Sequence, residues 1–563
     1  MTNDASVRLW APRATRVELV RGDRREPMIA EDGGWFRGPV LVDGEHYAFS
    51  VDGSDPRPDP RSRWQPNGVH APSRWMALPP RPARCTRTIP LRDAVLYELH
   101  LGTFSAAGTY RGAIEHLDHL VDLGITHVEV MPIAQFPGTH GWGYDGVDLF
   151  APHAGYGTPA DFVALVEACH LRGLAVIVDV VHNHFGPEGD YTYALGPYRT
   201  SAAQTPWGDA INLDDDGSAE VRRFLIDSAL AWLRDYGCDG LRLDAVHSLV
   251  DRSERHFVAQ LVDEIRALEP ELDRPLVVIG EYDSHDPIAI EERPVGWGLD
   301  AHWNDDFHHA VHVLVTGETA GYYIDFAGPD TLARVLERGY ALDGRESAFR
   351  RGPHGQPFGD LPRDRLVAYV QSHDQVGNRA AGERLHQLAG LERAKIAAAL
   401  LFVSPFVPMV FQGEEWAASA PFCFFCDFSS RELQTAVREG RKREHEHAVD
   451  GDLPDPCSPQ TRDRCVLAWD ERARAPHSEM LAWYRALIAL RRDHRALRDP
   501  SPVATRVSMD GPVLLVERCR QVVLAVNLGA ETARVPAGQL LLSSTAIRDG
   551  ALPPDACAIV LRT

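Results

Sequence analysis

Residues 174–184 read LAVIVDVVHNH, an apolar run that ends in a group of polar side chains. The run predicts a buried strand of a parallel sheet, because such strands are covered on both faces and show no alternation. Similar apolar runs alternate with helical patterns from about residue 95 to residue 480. The clearest helical pattern covers about 219–236 and is followed by Gly237, a residue suited to a left-handed cap. This alternation indicates an α/β fold with parallel strands.

Eight apolar runs qualify as strands of one sheet. They cover residues 95–99, 125–131, 174–181, 240–246, 276–280, 299–303, 366–370 and 407–411. Eight strand–helix units over this length predict a (β/α)₈ TIM barrel. A doubly wound sheet is the alternative, but it usually carries a glycine-rich phosphate-binding turn after its first strand, and the sequence shows none.

Short alternating stretches lie on both sides of the barrel segment. We predict an N-terminal β-sandwich of the carbohydrate-binding, E-set-like type over residues 1–88. The catalytic barrel is assigned to residues 89–480, and a C-terminal β-sandwich to residues 481–563.

The composition restricts the partners. The net charge is −22, from 58 basic and 80 acidic residues, which argues against nucleic acid and anionic membranes, although solubility alone also explains it. No window approaches the roughly 18 apolar residues of a membrane span, and residues 1–20 lack the apolar core of a signal peptide. The nine scattered cysteines suggest reduced thiols, so we expect a cytoplasmic protein. Cys423 and Cys426 have the spacing of a redox or zinc pair, but no second such pair accompanies them.

Polar residues collect where four of the predicted strands end. The groups are Asp179, His182, Asn183 and His184; Arg242, Asp244 and His247; Glu281; and His373 and Asp374. In a barrel, the C-terminal ends of the strands face the active site. A single Arg–Asp pair is more often a scaffold ion pair, and a single histidine or glutamate often holds a loop. Four groups at the same end of four strands favour catalysis, because acidic groups packed together repel one another.

Two of these groups have the chemistry of a glycosidase pair. Arg242 and Asp244 are two residues apart and share one face of a strand, and a guanidinium favours the ionised form that a nucleophilic carboxylate needs. Glu281 leaves an apolar strand. Apolar surroundings favour the protonated form of a carboxyl group, which a proton donor needs.

The four groups resemble the four short regions of the α-amylase family, glycoside hydrolase family 13. The matching stretches are DVVHNH from Asp179, GLRLDAVH from Gly240, the strand before Glu281, and SHD from Ser372, in the family's order. The resemblance implies a retaining mechanism in which Asp244 is the nucleophile, Glu281 the acid/base and Asp374 the third carboxylate. Retention implies that the carboxyl groups of Asp244 and Glu281 lie about 5–5.5 Å apart.

The resemblance also implies a binding wall for the sugar on the cleaved side. The residues it assigns there are Arg242, which keeps Asp244 ionised; Tyr144, His184 and His373, which contact the sugar; and Asp179 and Asn183, which brace the wall. Many family members bind calcium nearby, but residues 245–248 do not complete the usual ligand pattern beside Asn183. We therefore expect no required metal and no cofactor.

Longer stretches, among them residues 131–157 and 298–312, resemble one branch of this family. Its members cleave the α-1,4 bond next to the terminal trehalose of maltooligosyltrehalose. The resemblance implies this oligosaccharide substrate, a place in trehalose biosynthesis, and maltooligosyltrehalose synthase as the functional partner. The segment Gly280-Glu281-Tyr282-Asp283 departs from the branch, which has Ala and Asn around its glutamate. The residues proposed for the trehalose side are His247, Asp305 and Gln375, with Asp306, His308 and Glu414 as further candidates that could simply hold their loops.

Three rival functions stay open at this point. A glycogen or α-glucan branching enzyme shares the architecture, but a sugar hydroxyl replaces water in its second step. A non-catalytic glucan-binding protein would not need all three carboxylates. A metal-dependent hydrolase would use His182 and His184, but it usually has a His-x-His pair on its first strand, where His100 stands alone.

Overall fold

Eight parallel strands close into a barrel in chain order, which confirms the predicted fold class. The computed structural model describes residues 6–82, 85, 89–328, 330–445 and 453–562. The barrel strands are β1 (Leu96–Leu99), β2 (His127–Val130), β3 (Ala175–Val180), β4 (Gly240–Leu243), β5 (Val277–Gly280), β6 (Ala301–Trp303), β7 (Leu366–Tyr369) and β8 (Val407–Phe411). Each one lies within the run that predicted it.

Helices cover the outside of the barrel. The main ones are α1 (Leu117–Leu123), α2 (Pro159–Leu171), α3 (Ser218–Arg234), α4 (Phe257–Leu272), α5 (Asp305–Thr316), α6 (Leu391–Val403) and α7 (His477–Asp493). Shorter or peripheral helices are Leu101–Phe104, Tyr110–Ile114, Thr331–Arg338, His373–Gly377, Leu385–Ala389, Arg431–Glu444 and Pro459–Asp463. Between β5 and β6, residues 281–300 hold only the 3₁₀ turn Pro287–Ala289 in place of an α-helix. This unit therefore leaves a loop where the expected pattern has a helix.

Local sequence sets the ends of these helices. Thr158 and Asp161 form a capping box at the start of α2, with Pro159 in the first turn. Gly237 has φ +83°, the left-handed conformation expected of it, shortly after α3 ends.

The lower half of the barrel is filled by apolar side chains. These fully buried side chains are Leu96, Ile177, Ile279, Val367, Val407 and Met409. Because they close the barrel from below, a ligand can enter only at the C-terminal ends of the strands.

Antiparallel sheets flank the barrel at both ends of the chain. The N-terminal segment forms a sheet of Ser6–Trp10, Trp35–Val40 and Ile29–Glu31, and a second sheet of Arg24–Pro27, Val17–Arg21, His46–Val51 and Ser73–Arg74. The C-terminal segment forms a five-stranded sheet of Thr505–Asp510, Val513–Arg518, Val522–Asn527, Ala556–Leu561 and Gln539–Ser543, beside the pair Ala533–Arg534 and Ala551–Leu552. Among the described residues, no helix combines the length and apolar character needed to cross a membrane.

The predicted domain limits stay predictions. Residue 88 lies outside the described residues. The limit between residues 480 and 481 falls inside α7, whose Trp483 indole donates to the Lys395 carbonyl of α6 at 3.0 Å. We propose that the barrel domain includes all of α7, because a boundary within it would divide a helix that packs on the barrel.

Three strand pairs support the loops above the barrel. Ala134–Gln135 pairs with Asp148–Pro152 and closes the loop that carries Tyr144. Arg199–Thr205 pairs with Gly208–Ile211 beside the end of β3, and Arg345–Ser347 pairs with Gly352–His354 before β7.

Gly143, next to Tyr144, allows a close backbone approach that a larger residue would prevent. Its φ is +103°, and a Cβ atom there would lie 1.9 Å from the Pro132 carbonyl oxygen. Gly208 has nearly the same φ, +105°, but no atom within 4 Å of its Cβ position. Gly208→Ala should therefore cost about 1–2 kcal/mol of backbone strain. Gly143→Ala should cost at least about 1 kcal/mol more, as overpacking does.

The measurement is the melting temperature of both variants and of the parent chain. We expect the Gly143→Ala variant to melt at the lower temperature. Equal melting temperatures for the two variants would show that the contact with Pro132 does not constrain this loop.

Candidate active site

One buried arginine joins three carboxylates at the C-terminal ends of β3, β4 and β5. Arg242 Nη1 donates to Asp179 Oδ2 at 2.7 Å and to Asp244 Oδ1 at 2.9 Å. Its Nη2 donates to Glu281 Oε2 at 2.7 Å. The strand register sets this meeting, because Asp179 pairs with Arg242 and Arg242 pairs with Ile279, two residues before Glu281. We call these four side chains the Arg242 network.

Arg242 is held from below as well as from the sides. Its side chain is 1% exposed, and its guanidinium carbon lies 4.2 Å from the centre of the Trp303 ring. Burial opposes the charge, but the carboxylates of Asp179, Glu281 and Asp244 raise its pKa well above the usual value. The guanidinium is therefore a permanent cation beneath the cleft.

The two oxygens of Asp244 accept hydrogen bonds from different sides. Oδ1 accepts from Arg242, and Oδ2 accepts from Asn183 Nδ2 at 2.7 Å. The same amide also donates to the Asp244 backbone carbonyl at 2.8 Å. These contacts fix the orientation of the carboxylate without covering it, since the side chain keeps 9% exposure.

Glu281 has more polar surroundings than its apolar strand suggested. Its Oε2 accepts from Arg242 and from the Ala245 backbone N–H at 3.0 Å, and its side chain is 22% exposed. The expectation of an apolar environment was wrong, because the strand is apolar only up to Gly280, and the carboxyl group reaches the charged network. The described residues give no hydrogen bond to Oε1, so this oxygen is free to face a ligand.

Asp374 and His373 follow β7 on the opposite side of the cleft. Asp374 is exposed, and its Oδ1 accepts from Asn378 Nδ2 at 2.6 Å. Although its surface is open to the cleft, Asp374 is surrounded by many protein atoms, and this burial, opposed by His373 but aided by Glu281, raises its pKa. The two carboxyl groups are therefore close enough to influence each other electrostatically.

Tyr144, His184 and His373 form one wall. The Tyr144 ring lies against the His373 ring with centres 5.0 Å apart, and its hydroxyl donates to Asp179 Oδ2 at 2.8 Å. His184 Nε2 bonds the Tyr144 backbone carbonyl at 3.0 Å. The predicted wall residues are therefore in mutual contact and in contact with the Arg242 network through Asp179.

Asp179 is less acidic than an ordinary aspartate. Burial, opposed by Arg242 but aided by Asp244, raises its pKa to about 7. Near neutral pH this carboxyl group is partly protonated, which reduces the negative charge packed around Arg242.

Residues proposed for the trehalose side occupy two kinds of position. Asp305 accepts a hydrogen bond from the Tyr369 hydroxyl, and burial raises its pKa to about 8, with Glu281 and Asp283 adding to the effect. His247 Nδ1 accepts from the Asp283 backbone N–H at 3.3 Å, and Gln375 Oε1 accepts from the Ser372 hydroxyl. These three lie beside the predicted catalytic residues.

Asp306, His308 and Glu414 are buried and hold the fold. Asp306 Oδ2 accepts from the Ala341 backbone N–H at 2.7 Å. His308 bonds the Val370 carbonyl at 2.9 Å, and Glu414 accepts from the Tyr484 hydroxyl at 2.7 Å. Their contacts favour the loop-holding alternative over substrate binding. Cys423 and Cys426 each contact a different cysteine. The Cys423 amide donates to Cys465 Sγ at 3.1 Å, and Cys426 Sγ lies 3.7 Å from Cys457 Sγ.

Two buried glutamates in the barrel escaped the sequence analysis. Glu98 on β1 accepts from the backbone and from the ring Nδ1 of His373. Glu129 is its partner in the register of β2. Their only signal in the sequence is a charged residue inside a short apolar run, a pattern that a buried structural ion pair also produces.

The comparisons with known proteins agree with this architecture. The family model of the alpha amylase catalytic domain matches residues 82–203, and a domain of unknown function, DUF3459, matches residues 502–559. A crystal structure from Salmonella typhimurium assigned to the alpha amylases superposes with a TM-score of 0.92 at 38% identity, covering 99% of this chain and 97% of that one. Barrel and match together define a glycosidase of the α-amylase class.

The most similar relatives that were compared belong to one branch of the α-amylase class. A malto-oligosyltrehalose trehalohydrolase from Arthrobacter ramosus is 48% identical, with 86% of each chain covered. One from Mycobacterium tuberculosis is 46% identical, with 95% of each chain covered. A 1,4-alpha-glucan branching enzyme from a Bradyrhizobium strain is 29% identical over 82% of this chain and 71% of its own. The chain belongs to the malto-oligosyltrehalose trehalohydrolase family, and the branching enzyme is a more distant relative.

The pair Glu98 and Glu129 gives a test of the charge state of His373. Burial opposes the His373 charge, but Glu98 offsets burial and raises the His373 pKa. A raised histidine pKa adds stability below the unfolded pKa, and this stability is lost as the pH rises through the folded pKa. Glu98→Gln should therefore lower the free energy of unfolding by about 1.5–3 kcal/mol at pH 6, which is the usual contribution of a hydrogen bond to a charged group. The decrease should be smaller at pH 9.

Glu129→Gln is the matched control. Burial, with Glu98 nearby, raises the Glu129 pKa well above its usual value, so Gln replaces a neutral acid of the same shape. The parent chain must keep this proton when folded but releases it when unfolded, so Glu129→Gln should not lower the free energy of unfolding at pH 6 and should raise it relative to the parent at pH 9, the opposite of the loss expected for Glu98→Gln. Denaturant unfolding measures these free energies, and a Glu98→Gln loss that is the same at pH 6 and pH 9 would contradict the assigned charge of His373.

Proposed function

We propose that this chain hydrolyses the α-1,4 bond next to the terminal trehalose of maltooligosyltrehalose and releases trehalose and a maltooligosaccharide, with retention of configuration. The proposal rests on family membership and on one structural observation: the carboxyl groups of Asp244 and Glu281 share the guanidinium of Arg242. Two carboxyl groups bound to one guanidinium are kept close together, as a retaining pair requires.

In the first step, an oxygen of Asp244 attacks the anomeric carbon of the glucose on the cleaved side. The bond from that carbon to the trehalose oxygen breaks as Glu281 gives its proton to the departing oxygen. Oε1 is the proton carrier in this proposal, because Oε2 is occupied by Arg242 and the Ala245 N–H. The products of this step are trehalose and a glycosyl ester of Asp244.

In the second step, water hydrolyses the glycosyl ester. Glu281, now ionised, takes a proton from water as the water oxygen bonds the anomeric carbon, and the bond to Asp244 breaks. Because each step inverts the anomeric carbon, the released maltooligosaccharide keeps the α configuration.

The remaining cleft residues bind the sugar in this scheme. Asp374 grips ring hydroxyls with the oxygen that Asn378 leaves open, and His373 donates from its Nε2 to the same sugar beside the Tyr144 ring. His184 lines the same wall, with its own Nε2–H held by the Tyr144 carbonyl. Arg242, Asn183 and Asp179 hold the nucleophile. We infer that Asp305, His247 and Gln375 bind the trehalose side.

The wider setting is part of the same proposal. We infer a cytoplasmic role in trehalose biosynthesis, in which maltooligosyltrehalose synthase supplies the substrate. The names of the relatives support the trehalose-releasing reaction. The cytoplasmic location rests on the nine scattered cysteines, and the synthase on the chemistry of the proposed substrate. No step in it uses a metal or a cofactor.

Replacing the nucleophile tests the mechanism. Asp244→Asn keeps the shape and a hydrogen-bonding oxygen but cannot form the glycosyl ester, so kcat should fall by at least about 10⁴-fold. Glu414→Gln is the control, since Glu414 is buried against Tyr484 and burial raises its pKa to about 8. The rate of trehalose release measures both. Turnover of Asp244→Asn near the parent rate would remove Asp244 from the mechanism.

The products distinguish the proposed reaction from its rival. Incubation with maltotriosyltrehalose should give free trehalose and maltotriose, and proton NMR in the first minutes should show the α-anomer of the new reducing end. A β-anomer would mean inversion. A branched or lengthened glucan without free trehalose would assign the chain to transglycosylation.

A further inference from the structure

A second group of metal-binding side chains lies beside the cleft, outside the residues assigned to the reaction. Asp283 and His285 are on the loop after β5, and His354 ends the strand Gly352–His354. One potential ligand atom from each of these three residues lies within 4.8 Å of the other two. No other such group occurs in the described ranges of the chain.

The hydrogen bonds leave one nitrogen of each histidine available. His354 Nε2 donates to the Asp283 backbone carbonyl at 2.8 Å, so the lone pair of this ring is on Nδ1. His285 is 4% exposed, and its Nδ1 has no hydrogen-bond partner among the described residues. A buried ring nitrogen without a protein partner costs free energy, so a ligand that bonds this nitrogen would remove that cost.

The other nitrogen of His285 faces a carboxylate. His285 Nε2 lies 3.6 Å from Asp306 Oδ1, an oxygen that is also buried and unpartnered in the described part of the chain. The His285 ring is fixed by stacking on Tyr340, with centres 5.0 Å apart. Histidines that bind metals almost always donate their second N–H to a carboxylate or a carbonyl. His354 makes such a bond to the Asp283 carbonyl, whereas His285 must move slightly closer to Asp306 to make its own.

We propose that Asp283, His285 and His354 bind one divalent transition-metal ion, with Zn²⁺ as the natural choice. Two imidazoles and a carboxylate suit Zn²⁺ or Co²⁺, whereas Ca²⁺ and Mg²⁺ prefer oxygen ligands alone. Bonds of about 2.0–2.1 Å place neighbouring ligands about 3.3 Å apart, so the three side chains must move together by up to about 1.5 Å. The fourth position is open to water. The proposal does not depend on the reaction assigned to Asp244.

Arg350 competes with the ion. Its Nη2 donates to Asp283 Oδ1 at 2.5 Å and to Asp283 Oδ2 at 2.6 Å. A cation that binds Asp283 must displace this guanidinium and is repelled by it. The bound ion would then link the hairpin 345–354 to the loop that starts at Glu281. This link would hold the hairpin against the edge of the cleft.

The experiment is a titration of the chelator-treated full chain with ZnCl₂, followed by calorimetry, and with CoCl₂, followed by visible absorption. The parent chain should bind one ion per chain, with the d–d bands of a nitrogen and oxygen site and no thiolate band. His354→Ala should weaken binding by at least about 100-fold. Asp283→Asn is a second variant that keeps the side-chain shape and should also weaken binding.

Arg350→Ala should change the affinity in the opposite direction, because it removes the competing cation, and we expect binding at least about tenfold tighter. Arg345→Ala is the matched control. Arg345 is on the same hairpin but pairs with Asp343 at 2.9 Å, so its loss should leave the affinity unchanged. Circular dichroism checks that each variant is folded.

Three results would overturn the proposal. These are the absence of saturable binding to the parent chain, parent-like affinity in folded His354→Ala or Asp283→Asn, or a cobalt spectrum dominated by thiolate bands. The last would place the ion at a cysteine pair such as Cys426 and Cys457.

Discussion

The cleft depends on the burial of one positive charge. Arg242 is removed from water, so the free energy of desolvating its charge must be offset by hydrogen-bonded partners with good geometry. The partners come from β3, β4 and β5, and only the observed register places Asp179, Asp244 and Glu281 within reach of the same guanidinium. The structural demand of a buried arginine and the chemical demand of two adjacent carboxyl groups are therefore met by the same contacts.

A single arginine cannot balance all the acids around it, and protons supply part of the balance. Burial raises the pKa of Glu129 well above its usual value, that of Asp179 to about 7 and that of Asp305 to about 8. Each of these carboxyl groups holds its proton more readily than an exposed one does. Charge is thus kept low at the wall and floor of the site, while Glu98 and His373 form their own buried pair.

The parts predictable from sequence were those with a local signal. A parallel strand is one apolar run, and a polar group at its end is visible in the same few residues, so the barrel and Asp179, Asp244, Glu281 and Asp374 could be found. Glu98 could not be found in this way, because its role arises from a contact with His373, 275 residues away. The polar surroundings of Glu281 were missed for the same reason, since they come from Arg242 on another strand.

The loops differ from the barrel in what constrains them. The position of Asp244 is fixed by strand pairing and by Asn183, but Asp283 is fixed by Arg350 and His354, which belong to a hairpin outside the barrel. Substitutions in that hairpin can change the surroundings of Asp283 without disturbing the register that holds Arg242. This division explains how members of one class keep the same chemistry on the strands and differ in substrate at the loops. Of the segment that departs from the branch, Gly280 belongs to the strand β5, and Tyr282 and Asp283 belong to the loop.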